Sequence, residues 1–157
     1  SNLVFACDAS WGANPDDRHS TSGYGALWNG SLIAWWSRNQ YLLARSSFED
    51  ELIAVCGATA ELLWIRKVLK DFGCEQKTTE VQCDNKTTIA QVKEYTVTKR
   101  TRHIDIRFYN AAEFIRGKIM RLVHVPGIDH WSDMFTKSLL VDLLQKFRSK
   151  FLRTPPT

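Results

Sequence analysis

The segment from Phe48 to Phe72 limits the possible folds of this chain more than any other stretch. On a helix turning about 100° per residue, Val55, Ala58, Leu62, Ile65 and Leu69 all fall within about 40° of Glu51. Every one of them is apolar. A helix this long with one apolar stripe has to lie across another layer, and Gly73 provides a natural stop.

The flanking sequence provides that layer. "LVFACD" is a short apolar run of buried-strand composition. "YGALWNG" and "SLIAWWSR" read as two strands joined at Asn29-Gly30, a strong hairpin signal. After the long helix come a strand "TTEVQCD", a short helix "NKTTIAQVKE" and a helical stretch "RHIDIRFYNAAEFIRG". A strand "KIMRLVHV" follows, and then a helical segment "DHWSDMFTKSLLVDLLQKFRSKFL", in one or two pieces. The order β-β-β-α-β-α-α-β-α predicts one α/β domain over residues 1–157, built on a mixed five-stranded sheet with helices on both faces. Its core spans about residues 3–145, with a basic C-terminal helix and tail beyond.

Composition excludes little. A net charge of +4 permits nucleic-acid binding without arguing for it. No apolar run reaches the length of a membrane span, and the first residues lack the pattern of a signal peptide, so no membrane partner is expected. Cys7, Cys56, Cys74 and Cys83 show no zinc spacing and read as reduced core or helix-end residues, with a Cys7–Cys83 contact as the alternative. Trp35, Trp36 and Trp64 are expected in the core; Trp11, in a loop beside Asp8, is the exception.

The acids carry the chemistry. Glu49 and Asp50 sit to the sides of the helical stripe and read as solvated first-turn residues. Glu51 opens the stripe itself. It is either wet above the core, paired with a buried arginine, or gathered with other acids around a cation. Asp8 ends the first strand, Asp84 ends "VQCD", and Asp133 opens the last helix. The carboxyl ends of neighbouring parallel strands are where α/β sheets build sites. Clustered carboxylates need a multivalent cation to stay ionised together, and hard oxygen donors suit Mg²⁺ or Mn²⁺.

At these residues the chain resembles the ribonuclease H domain of copia-type LTR-retrotransposon polyproteins. The words "CDASWG", "DDRHSTSGY", "IAWWSRNQ", "SSFEDELIA", "LWIRKVL", "VQCDNKTTIA", "KRTRHIDIR", "VHVP" and "DMFTKSL" carry the resemblance, in order, over about residues 3–145. It implies a ribonuclease H-like fold. It also implies a metal-dependent phosphodiester hydrolase that cuts the RNA strand of RNA·DNA hybrids during reverse transcription and leaves 5′-phosphate products. Asp8, Glu51, Asp84 and Asp133 would hold two Mg²⁺, with Mn²⁺ as a substitute. Asp8 would bridge both ions, Asp133 would complete the site of the attacking water, and Glu51 and Asp84 the site of the leaving oxygen.

Substrate contacts implied by the same likeness are Ser10, Trp11, Arg45, Ser46, Ser47 and Asn85 near the acids, and Lys99, Arg100, Arg102 and His103 as phosphate contacts. His130 is the candidate proton shuttle. The likeness also implies a covalently attached reverse transcriptase and an intracellular location, in a cytoplasmic particle or the nucleus. Two departures stand out. Phe48 and Asp50 replace the family's Thr and Ala, which sets an extra acid beside the site, and the link "PGIDHWS" before Asp133 is short. The alternatives are a degenerate domain that binds without cutting and another nuclease of the same fold, such as an integrase or resolvase.

Overall fold

Asn29 and Gly30 both take positive φ, 51° and 83°, the backbone that a two-residue hairpin turn requires. They join β2 (Thr21–Trp28) to β3 (Ser31–Asn39) as an antiparallel pair. The structure, a computed structural model, describes residues 2–12, 18–41, 46–94 and 106–151. β1 (Leu3–Ser10) pairs antiparallel with β2 and parallel with β4 (Thr79–Cys83), and β4 pairs parallel with β5 (Met120–His124). The sheet order is β3-β2-β1-β4-β5, a mixed five-stranded sheet as the sequence predicts.

α1 (Ser47–Asp71) lies on one face of this sheet. Its predicted stripe is the buried one: Val55, Ala58 and Leu62 have no exposure, and Ile65 and Leu69 are at 4% and 7%. They meet Leu3, Phe5 and Cys7 of β1 and Val81 and Cys83 of β4. Each large apolar side chain so buried contributes about 1.5–3 kcal/mol. α2 (Lys86–Glu94) and α3 (Ile106–Arg116) close the same core through Ile89, Val92 and Ala111.

The opposite face is covered by a 3-10 turn (Trp131–Phe135) and α4 (Val141–Phe151). Alternate residues of a strand point to opposite faces, so Ala6 turns away from the α1 core and packs with Trp131, Phe147 and Phe151. The last helical segment therefore comes in two pieces. Asp133 lies inside the short 3-10 turn rather than at the start of the final helix, because residues 136–140 break the helical path before Val141.

The tryptophan expectation fails at two positions. Trp35 is 64% exposed and Trp64 60%, whereas Trp36 packs half-buried against Tyr24, ring centroids 5.6 Å apart. Trp64 lies about 140° from the centre of the α1 stripe, so helical phase turns it outward. Trp35 is on the edge strand β3, stacked on Phe135 but otherwise uncovered. All four cysteines are free thiols, and the Cys7 thiol donates to the Gln82 carbonyl, 3.7 Å away.

Candidate active site

The pairing of β1 decides where the acids meet. Its parallel ladder with β4 ends at Ala6↔Gln82, while its antiparallel ladder with β2 continues through Asp8↔Gly23 to Ser10↔Thr21. Asp8 is therefore two residues short of the strand end. It sits where β4 has let go of β1, and Asp84 follows Cys83 just past the end of β4. Asp8 has no solvent exposure.

Glu51 reaches this point from α1. One carboxylate oxygen accepts the Ala9 N–H at 3.3 Å and the other lies 3.9 Å from the Cys83 thiol. It is 6% exposed and no arginine pairs with it among the described residues. Single ligand atoms of Glu51, Cys83 and Asp84 lie within 4.8 Å of one another, and so do those of Asp8, Asp84 and His130. Asp84 is common to both groups.

Asp133 arrives from the other face on the 3-10 turn, which approaches closely because β2 carries glycines there. A Cβ at Gly25 would lie 2.4 Å from Trp131, and one at Gly23 2.7 Å from Phe135. Lys137, one turn beyond Asp133, sets its ammonium 3.2 Å from an oxygen of Asp133 and 3.2 Å from an oxygen of Asp8. The Thr136 hydroxyl donates to the other Asp8 oxygen.

Burial and mutual repulsion leave a clear electrostatic signature. The Glu51 carboxyl is pushed up to about 9, first by burial and then by Asp8 and Asp84. Asp8 is raised to about 6 by burial, with Lys137 and Thr136 acting against the rise. Burial opposes the charge on Lys137, but Asp8 and Asp133 more than offset this and raise its pKa. These are carboxylates held together under protest. Their hard oxygens fit a divalent cation, which would relieve the repulsion.

No family model matches the sequence. Among curated proteins, the chain is 31% identical over 130 residues to the Retrovirus-related Pol polyprotein from transposon TNT 1-94 of Nicotiana tabacum. It is also 31% identical over 153 residues to the polyprotein from transposon RE1 of Arabidopsis thaliana. These matches cover 83% and 96% of the chain and 10% of each polyprotein, so the chain spans about a tenth of their length. Among solved structures it superimposes on LC11-RNase H1, isolated from compost by a metagenomic approach, with a TM-score of 0.62 at 18% identity, covering 86% of this chain and 92% of that one. The chain is a ribonuclease H-fold homologue of copia-type retrotransposon Pol polyproteins.

On this ribonuclease H-like frame the other sequence candidates divide. The Ser46 hydroxyl accepts the Glu49 N–H at 3.2 Å and caps α1, and the Asn85 side chain accepts the Thr88 N–H at 3.1 Å and caps α2. Ser47 is the first residue of α1 and is exposed. Ser10 lies two residues past Asp8 on the same strand, and Trp11 beside it is 60% exposed. Arg45, Lys99, Arg100, Arg102 and His103 lie outside the described residues. His130 is fully buried, with Nε2 2.9 Å from the Cys7 carbonyl and 2.7 Å from the Ser132 hydroxyl.

The sequence reading missed Lys137 and Thr136. The only local signal was that Lys137 stands four residues after Asp133, the spacing of a helical ion pair.

Asp50 also corrects the sequence reading. It is not solvated: it is 1% exposed, and its carboxyl faces the Ser20 and Gln40 side chains, which act against the rise that burial causes. The Gln40 amide also donates to the Ser22 hydroxyl and to the Asp50 backbone carbonyl. The extra acid is thus packed on the β2–β3 side of α1, and burial raises its pKa from 3.8. A buried carboxyl with no cation beside it is costly even with neutral hydrogen-bond partners. Asp50→Ala is expected to stabilise the protein by about 1–2 kcal/mol. The folded form holds its proton to higher pH than the unfolded chain, so the native Asp50 costs more as pH rises past 3.8. The gain should therefore be larger at pH 8 than at pH 4, as read by urea denaturation; equal or lower stability of the variant at pH 8 would count against this account.

Proposed function

We propose that this chain hydrolyses the RNA strand of RNA·DNA hybrids as the ribonuclease H part of a retrotransposon polyprotein. The observation that carries the proposal is the meeting of Asp8, Glu51 and Asp84, with Asp133 joined to them through Lys137, at the split between β1 and β4 of a ribonuclease H fold. These four acids would hold divalent ions, Mg²⁺ by the hardness of their oxygens. Bound there, Mg²⁺ would supply a water nucleophile at neutral pH and neutralise charge on the leaving oxygen.

The rest falls to the chain. The buried setting of Asp8 and Glu51 leaves their carboxyl groups poorly solvated, so a cation entering between them would meet little competition from water. The Thr136 hydroxyl and the Ala9 N–H fix one oxygen each of Asp8 and Glu51, and the Asn85 cap fixes the start of α2 directly after Asp84. Ser10 and the exposed Trp11 would face the hybrid beside Asp8, one for 2′-hydroxyls and one for a stacked or packed sugar. His130, as a shuttle, would have to act through Ser132 or the acids, since it has no direct access to solvent. LC11-RNase H1, similar in fold, is also solved in complex with an RNA/DNA hybrid. The polyprotein relatives favour an attached reverse transcriptase and a place inside the cell. Among the described residues no helix is long and apolar enough to cross a membrane.

A hybrid with either strand end-labelled tests the proposal. Incubation with Mg²⁺ should shorten only the RNA strand, leaving 5′-phosphate and 3′-hydroxyl ends, and chelation should stop it. Binding without cutting would favour the degenerate, non-cleaving alternative, and cutting of duplex DNA would favour another nuclease of this fold.

A further inference from the structure

We propose that Lys137 is a tethered cation that occupies the acid cluster between Asp8 and Asp133 and competes with divalent ions for it. This rests on the function proposed above and adds a control on metal loading. The ammonium is 3.2 Å from each of the two carboxylates. One of them, Asp8, has no exposure, so this is not an ordinary surface pair between residues four apart. Asp8 and Asp133 repel each other, and Glu51 also feels both Asp8 and the lysine. Among the described residues Lys137 is the lysine or arginine paired with any of these acids, contacting Asp8 and Asp133 and acting on Glu51 through its charge.

Two opposed effects follow from this placement. Lys137 lowers the cost of gathering the acids before any ion arrives. It also repels an incoming dication, because a positive charge already stands among the donor oxygens. The lysine stem is flexible and 35% exposed, so the ammonium can swing outward and remain close enough to meet a phosphate. The competition predicts weak metal binding by the protein alone and stronger binding when a polyanionic hybrid draws the ammonium away.

The test compares the wild-type chain with Lys137→Met and Lys137→Arg at pH 8, using Mn²⁺ alone as the probe in titration calorimetry. Lys137→Met should bind Mn²⁺ at least tenfold more tightly than wild type, and should melt at a lower temperature in chelator yet recover with Mn²⁺. Lys137→Arg, which keeps the charge, should stay close to wild type in both. Mn²⁺ affinity that is unchanged or weaker in Lys137→Met overturns the proposal and leaves the lysine a simple brace. A second measurement needs no variant: in wild-type protein with labelled lysines, the Lys137 ε-carbon resonance should move along the Mg²⁺ binding isotherm, and a stationary signal overturns the proposal equally. If neither wild type nor Lys137→Met binds either ion, the functional reading itself falls; if wild type binds and both lysine results are negative, only this inference falls.

Discussion

Glu51→Gln is expected to reduce hybrid cleavage by about a thousandfold or more while making the protein harder to unfold at pH 8 in chelator. The two effects share one cause. The carboxyl is raised from 4.5 to about 9, by burial first and then by Asp8 and Asp84. Between those values the folded protein keeps a proton that the unfolded chain has released. Stability is therefore fully present below about 4.5 and falls as pH rises toward 9, by on the order of 1 kcal/mol per pH unit for this group. Asp8, raised from 3.8 to about 6, steepens the lower part of the decline. Glutamine keeps the shape and carries no charge, so the slope above pH 6 should flatten in the variant. Urea denaturation in chelator from pH 5 to 9 measures this, alongside cleavage with Mg²⁺. A wild-type stability that rises through the window would contradict the burial of an unpaired carboxyl, and a cleaving Glu51→Gln would remove Glu51 from the site.

The second large effect concerns a residue with no chemistry. Gly25→Ala would place a methyl group 2.4 Å from a Trp131 ring carbon and 2.9 Å from Phe135. Both belong to the turn that carries Asp133, and β2 is strand on either side, so the turn has to move. Overpacking of this kind costs about 1–3 kcal/mol. The displacement also pulls Asp133 and Lys137 from Asp8, and a shift of about 1 Å at such a centre costs about a hundredfold in rate. The expected result is a folded protein with a lower melting temperature and cleavage down about a hundredfold, with Mn²⁺ affinity altered. Wild-type activity in Gly25→Ala would mean that the turn does not set the position of Asp133.

These cases show what the residues disclose on their own. Glu51 was legible because helical phase is local: the stripe that faces the sheet was countable, and an acid at its head stood out. Asp84 was legible for a similar reason, as the acid that ends an apolar strand before a helix. Asp8 was found for a reason that proved incomplete, since β1 runs on to Ser10 and it is the loss of β4 pairing after Ala6 that opens the space.

What stayed hidden depends on which segments pack across the sheet. Gly25 reads as a strand residue until Trp131 is laid on it, more than a hundred positions later. Asp50 reads as a surface acid because its cover comes from Gln40 and Ser20, beyond the helix. Lys137 reads as one more surface lysine, since only the tertiary approach of Asp8 turns it into part of the site. Trp64 is the opposite case: the same helical phase that marked Glu51 already pointed it outward, and its hydrophobicity outweighed that evidence.

The most direct measurement is a crystal soaked in Mn²⁺ with anomalous data collected at the manganese edge. The account predicts one or two manganese peaks bounded by the carboxylates of Asp8, Glu51, Asp84 and Asp133, with the Lys137 ammonium moved out from between Asp8 and Asp133. Manganese bound elsewhere, with the four carboxylates and the lysine left in place at saturating ion, would contradict it.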